Sequence, residues 1–452
     1  MSFPLVVSKF GGTSMGDFSS MKRSAVISVE RHSSIVVVSA TSGTTDKLIQ
    51  VAKLSGEGRV EECEKLIQDI KNRHLLILAE AGNRAETVQI LQGLFTELDL
   101  LAQNISLLRE LTPKAYDHML SLGERMSSVI FRDVLQSQVP KKEVLLLDAR
   151  TIIKTDSHFG KATPQIEEIE KACKDHLVLR PEIIYVTQGF IGSDADNNTT
   201  ILGRGGSDYS AALFAEGISA TCLEIWTDVA GVATTDPRIC PQAKIIPELS
   251  YSEAGEMAQY GAKILHPATI APAVRKSIPV FVGSSFDKDL PGTWIRQDVA
   301  HRPTVRAITK RGSQALLTIT QPSMLNASGF MSKIFDTFAR HRISVDCVTT
   351  AEYSVAITVD NTTIENERFL RDLETIGSIE IETGLSLISL IGNEMHLRPN
   401  QAKPIFSTIE GINIRMMSLG ASPYNFNFLV NENQSHECIT RLHKTLIETP
   451  HL

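Results

Sequence analysis

From residue 5 to about residue 283, short apolar runs alternate with longer stretches whose apolar residues recur every three or four positions. The runs at 5–10, 35–38, 144–147, 183–186, 223–226 and 279–282 are rich in Val and Ile and do not alternate with polar residues. Each is therefore predicted to be a strand covered on both faces. Such strands, separated by helices, make an α/β domain on a mainly parallel central sheet. Between 60 and 111 the spacing of Ile67, Ile70, Leu75 and Leu78, then Leu91, Leu94, Leu98 and Leu101, predicts a helical insertion lying as a layer on the sheet. A polar, basic stretch at 295–311 (IRQDVAHRPTVRAITKR) is expected to separate this domain from the rest of the chain.

The remaining part contains a repeat. Residues 334–360 (IFDTFARHRISVDCVTTAEYSVAITVD) match 405–431 (IFSTIEGINIRMMSLGASPYNFNFLVN) once a single residue is skipped. Each copy reads as helix, tight turn, strand, hairpin, strand, and each follows a further strand and loop. Self-similarity of this kind means one folding unit used twice. A βαββαβ unit of roughly 70 residues fits both copies, the second ending in a helical run at 436–447. The expected domains are thus 1–298, 312–378 and 384–452.

Composition narrows the functional class. The net charge is −7, and the basic residues are scattered rather than clustered, which excludes a nucleic-acid or anionic-membrane surface and favours small-molecule partners. The six cysteines lie far apart without C-x-x-C or zinc-type spacing, so reduced thiols and a cytoplasmic setting are expected. No run approaches the length of a membrane span, and the N-terminus has no basic region or cleavage site of an export signal.

Four motifs carry chemistry. At 9–14 (KFGGTS) a buried strand ends in a lysine and two glycines before a helix; backbone N–H groups there can approach phosphate oxygens, and Lys9 supplies a full charge. Neither the Walker nor the Rossmann glycine pattern occurs. At 202–208 (LGRGGSD) three glycines surround an arginine ahead of a helix, closed by Ser207 and Asp208 as an N-cap-type pair, a loop that offers amides and a guanidinium to an anion. The run at 226–238 (WTDVAGVATTDPR) leaves a strand end for a turn-rich loop, where α/β sheets bind ligands. The run at 261–267 (GAKILHP) places Lys263 at a helix end, with His266 read as a structural histidine.

Together with SATSGTTD at 39–46, LGERMSS at 122–128 and TQGFIG at 187–192, these motifs resemble, in this order, the amino-acid kinase superfamily. Within it they resemble the aspartate kinases, in their lysine-sensitive monofunctional branch with two ACT-type repeats. The resemblance spans essentially the whole chain. It implies an enzyme that transfers the γ-phosphoryl group of ATP, with Mg²⁺ between the phosphates, to the side-chain carboxylate of L-aspartate, the first step toward lysine, threonine and methionine. It places Lys9, Gly11 and Gly12 on the phosphoryl group, with Asp208 orienting Lys9. It puts Thr45, Glu124, Arg204, Gly205 and Ser207 around aspartate, Arg204 on its α-carboxylate and Glu124 on its ammonium. It brings Thr227, Asp228, Ala233, Arg238, Lys263 and Ile264, beside Lys9, to ATP. No dedicated protein cage for the metal is implied. The first ACT-like repeat would bind L-lysine, a feedback inhibitor, through Met324, Phe330, Met331, Ser344, Val345, Asp346 and Thr350, with Asp346 on an ammonium. The repeats would pair two chains into a homodimer, with a tetramer as the alternative. Three positions depart from the family: Ala233 stands where an aromatic is usual, and Ala327 and Ala351 stand where serines are common.

Overall fold

The computed structural model describes residues 3–262, 267–322, 329–397 and 402–449. The chain divides into two compact units, the first formed by residues 1–232, 245–251 and 267–298, the second by 233–244, 252–262 and the chain from Val299 onward.

In the first unit β1 (Val6–Phe10), α1 (Phe18–Glu30), β2 (Ser33–Val38) and α2 (Thr44–Gly56) are followed by three long helices, α3 (Val60–Glu80), α4 (Ala85–Leu108) and α5 (Pro113–Gln138). Then come β3 (Glu143–Leu147), α6 (Ala149–Ile152), α7 (Ile166–His176), β4 (Ile183–Gln188), a hairpin of β5 (Ile191–Ser193) and β6 (Thr199–Ile201), α8 (Gly206–Gly217), β7 (Cys222–Thr227) and β8 (Glu248–Ser250). The chain passes through α9 (Tyr251–Gln259), which after Tyr251 belongs to the second unit, and returns to the first with α10 (Pro267–Arg275), β9 (Val280–Ser284) and β10 (Thr293–Arg296). Eight strands form one sheet in the order β3-β4-β2-β1-β7-β9-β10-β8, parallel except where β9 meets β10. Every residue of β1 and β2 is buried, including Ser8 and Lys9 of β1 and Ser33 and Ser34 of β2, as in strands covered on both faces. The helix starts are written locally: the Asp17 carboxylate accepts the Ser20 N–H at 2.7 Å and caps α1, and Thr112 caps α5 just before Pro113. The insertion expected to cover the sheet does so only indirectly. α3 and α4 pack on α2 and α5, and α5 is the helix that lies on β3 and β4. Their apolar stripes cannot tell a helix partner from a sheet partner.

In the second unit β11 (Val305–Thr320), α11 (Phe330–Arg340), β12 (Val348–Thr350), β13 (Ser354–Asp360), α12 (Glu367–Glu374), β14 (Ser378–Gly392), α13 (Ala402–Thr408), β15 (Ile414–Leu419), β16 (Asn425–Asn431) and α14 (Ser435–His443) build one antiparallel sheet, ordered β12-β13-β11-β14-β16-β15. Two βαββαβ modules share its long central strands. Gln314–Thr320 with the start of β14 completes the first module, while the start of β11, paired with Leu387–Gly392, supplies the last strand of the second. The boundary between the units falls within 295–311, after Asp298, but the stretch is not a linker: Thr293–Arg296 and Val305–Arg311 are strand. Charged residues mask that strand because Arg306, 9% exposed, is buried against the fully buried Glu253 at 3.0 Å. Each module has its own apolar core, one around Phe338, Phe369 and Ile334, the other around Phe428, Ile439 and Leu442.

Candidate active site

The parallel strands bring their carboxyl ends to one edge, and the candidate residues of the first unit gather there. Lys9 is the fourth residue of β1, with its side chain only 10% exposed and its Nζ 2.5 Å from Asp208 Oδ1. The two side chains form a largely buried ion pair that restrains the ammonium at the end of β1. Asp208 stands in the first turn of α8, which is entered through Gly205 in the left-handed conformation at φ 72°. Ser207 and Asp208 are consequently inside the helix and do not cap it, a correction to the cap read from their residue types. Arg204, just outside the helix, is exposed and forms no ion pair among the described residues.

The glycines after Lys9 differ from each other. The Gly11 N–H, expected to face phosphate, donates to the Trp226 carbonyl at 3.2 Å and ties β1 to β7. The Gly12 N–H has no protein acceptor among the described residues and is the one left for an anion. Beyond β2, Thr45 lies in the first turn of α2. Beside it the Thr41 and Thr44 hydroxyls share a 2.6 Å hydrogen bond, and His74, fully buried, has its imidazole pushed down to about 4 by burial, which keeps it neutral.

Glu124 is the unusual group. α5 approaches the loop after β2 so closely that a Cβ at Gly123 would stand 2.9 Å from the Ala40 side chain, and this sinks Glu124 to 3% exposure. Burial pushes its carboxyl up to about 8, against the backbone N–H of Ala40 and the charge of Lys9, both of which pull it down. Its Oε2 has no hydrogen-bond partner among the described residues. A buried carboxylate oxygen without a partner costs about 1–3 kcal/mol or more, so such a group marks a place where a donor belongs. At the end of β7 the Thr227 hydroxyl donates to Asp228 Oδ1 at 3.1 Å, and the exposed Asp228 faces solvent.

The other candidates lie in the second unit or outside the described residues. Ala233 and Arg238 belong to the second unit, where Arg238 folds back on Asp236 with Nη2 2.6 Å from Oδ2. Lys263, Ile264, His266, Met324 and Ala327 are outside the described residues. Of the effector candidates, Phe330 begins α11 inside the first module's core, with Met331 and Val345 packed against it. Ser344 and Thr350 are exposed. The Asp346 carboxylate, 7% exposed, is already paired: Arg311 Nη1 lies 2.8 Å from its Oδ1. Burial still pushes Asp346 up, while Arg311 pulls it down. Elsewhere in this unit Cys240, His443 and Glu448 converge, with His443 Nδ1 3.5 Å from Cys240 Sγ and 2.7 Å from Glu448 Oε1, and Nε2 2.9 Å from the Thr234 hydroxyl. Two atoms ligating one tetrahedral metal ion stand about 3.3 Å apart for N and O; the shorter contact is a hydrogen bond, and the imidazole is satisfied.

The amino acid kinase family matches residues 4–284, and an ACT domain matches 388–446. Lysine-sensitive aspartokinase 3 of Escherichia coli strain K12 is 40% identical over 98% of this chain and 99% of its own length. Aspartokinase 1, chloroplastic, of Arabidopsis thaliana is 32% identical over 98% of this chain and 80% of its own. This chain belongs to the aspartokinases. The crystal structure of E. coli aspartokinase III in complex with aspartate and ADP, its R-state, aligns with a TM-score of 0.86 at 39% identity, covering 97% of this chain and 99% of that one. The same enzyme in complex with lysine and aspartate, its T-state, aligns at 0.83 with 40% identity, covering 98% and 99%. No helix among the described residues is long and apolar enough to cross a membrane.

For an aspartokinase read from its sequence, the motif residues were visible, but two buried acids were not distinguishable from surface ones. Glu124 stood out only by resemblance. Asp117, fully buried on α5 with its carboxyl pushed up to about 6 by burial, drew no attention. The available signal was an acidic residue at the i and i+7 positions of one helix stripe, Asp117 and Glu124, where apolar neighbours dominate.

Proposed function

We propose that this aspartokinase transfers the γ-phosphoryl group of ATP to the β-carboxylate of L-aspartate at the carboxyl edge of the first unit's sheet, under feedback control by L-lysine bound to the first ACT-type module. The observation that carries the substrate reading is the buried, partnerless Oε2 of Glu124. An α-ammonium supplies the cation and donors that this oxygen lacks, and Arg204, exposed and unpaired among the described residues, suits the α-carboxylate. Thr45, Gly205 and Ser207 complete the aspartate side.

Phosphoryl transfer asks for alignment and charge neutralisation more than for covalent help. Lys9, restrained by Asp208, neutralises the equatorial oxygens, the Gly12 N–H donates to them, and Gly11 holds the turn through Trp226. The acceptor carboxylate is ionised at neutral pH and needs no base. Glu124 is mostly protonated at pH 7 in the free protein, so binding the ammonium expels a proton. Affinity for aspartate therefore rises with pH and levels off above about 8.

For ATP the reading rests on the family resemblance at Thr227, Asp228, Ala233, Arg238, Lys263 and Ile264. The described acids of this edge are sparse: Asp208 is neutralised by Lys9 and Asp228 is exposed. That set suits Mg²⁺ chelated by the nucleotide and keeping most of its waters, with Asp228 the residue nearest in kind to a ligand. Bound with the nucleotide, the ion would supply charge stabilisation to the phosphates during transfer. Cytoplasmic placement and a homodimer through the ACT-type modules complete the proposal.

The test is ATP- and Mg²⁺-dependent formation of aspartyl hydroxamate, with glutamate as control, over a lysine titration. Turnover of aspartate alone, suppressed by lysine, is expected. Turnover insensitive to lysine removes the effector assignment, and no turnover of aspartate overturns the function.

A further inference from the structure

Asp117 sits on α5, fully buried, and accepts backbone hydrogen bonds from two separate stretches of chain. The Gly160 N–H lies 2.9 Å from Oδ1 and 3.0 Å from Oδ2, and the Ile201 N–H lies 3.0 Å from Oδ2. The same stretches are laced directly, since the Ala162 N–H donates to the Ile201 carbonyl at 2.9 Å. Beyond Ile201 the chain turns at Gly203, whose φ of 77° favours glycine. A Cβ there would stand 3.3 Å from Lys161 Cγ and 3.5 Å from the Gly160 carbonyl oxygen. Arg204 follows at once. Arg204 has no ion pair of its own among the described residues, so its position depends on the backbone that carries it.

We infer that Asp117 is a positioning residue for aspartate binding: by bracing Gly160 and Ile201 it holds the Gly203 turn in the shape that presents Arg204 to the substrate's α-carboxylate. A buried anion satisfied only by backbone N–H groups costs more than an apolar residue would, and a carboxylate is the side chain that can accept all three of these contacts. The inference rests on the proposed aspartate kinase function.

The experiment is steady-state kinetics of Asp117→Asn in the full chain. The amide keeps one accepting oxygen and turns an NH₂ toward donors. The KM for aspartate is expected to rise about tenfold, the scale of one lost hydrogen bond to a charged group, with kcat and the KM for ATP within about twofold of wild type. In an Arg204→Ala background the same substitution is expected to leave the KM for aspartate unchanged, because its effect passes through Arg204. A lowered melting temperature with an unaltered KM for aspartate overturns the inference, as does an equal loss in all three constants. If Asp117→Asn does not fold, Gly203→Ala decides, since it strains the same turn from the other side. A selective rise in the KM for aspartate supports the brace, and an unchanged KM overturns it. Wild-type protein that fails to phosphorylate aspartate overturns the proposed function and the inference with it, whereas active wild type with an indistinguishable Asp117→Asn overturns the inference alone.

Discussion

Glu124 in the first unit and Asp346 in the second are both assigned to grip an ammonium group, and both are buried carboxylates, yet the fold treats them differently. Glu124 keeps an oxygen without a partner among the described residues and is pushed up to about 8. Asp346 has Arg311 at 2.8 Å. The first acid is poised for a ligand's cation and gains from it directly; the second must share or surrender an internal cation before a ligand's ammonium can take its place. On the proposed assignments, the substrate site would be left electrostatically incomplete, while the effector site would start from a satisfied state and respond only to the difference between two partners.

The comparison breaks most visibly through Lys9, the cation acting on Glu124. Lys9→Met should cost about 10³-fold or more in kcat with the fold retained by circular dichroism; turnover near wild type would remove the catalytic reading. Next, Glu124→Gln should raise the KM for aspartate roughly 100-fold, as expected for truncating one side of a buried charge pair. It also has a stability signature. Because the folded carboxyl binds its proton more tightly than an unfolded one, its contribution is fully present below the ordinary carboxylate range and is lost as pH rises to about 8. Thermal melts at pH 9 should therefore show Glu124→Gln at or above wild type, and a variant that is less stable there would contradict the assigned burial.

Arg311→Met sharpens the other half by making Asp346 resemble Glu124. Lysine should then inhibit at a concentration about tenfold lower, one ion-pair contact's difference, while the protein loses about 1–3 kcal/mol for the stranded carboxylate. Unchanged inhibition would mean that Asp346 does not meet the effector. The smallest effect is expected from Ala351→Ser, whose added hydroxyl can return a hydrogen bond of about 0.5–1.5 kcal/mol and shift lysine inhibition severalfold.

Much of the first unit was legible beforehand. The six predicted strands all occur, each within two residues of the expected ends, because unbroken Val and Ile runs have few other uses in an α/β chain. The glycine-rich turn at Gly205 was legible because its positive φ favours glycine over residues with a side chain. What misled was polarity judged without its partners. Arg306 and Arg311 made β11 look like a linker, whereas Glu253, Asp346 and Asp360 neutralise them. The shared strands of the second unit were illegible in a different way, since a repeat states that one unit recurs but not that its last strand is donated by chain preceding the first copy.

The sequence by itself determined the strand runs, the repeat, the phosphate-type glycine turns and the family, all of which are properties of neighbouring residues or of ordered motifs. Only the tertiary structure decided which carboxylates are charged, paired or starved of a partner. Asp117, Glu124, Asp208 and Asp346 are the same kind of group in the chain. They differ because desolvation and the nearest donor are set by segments tens of residues away, and these two factors outweigh anything intrinsic to the side chain.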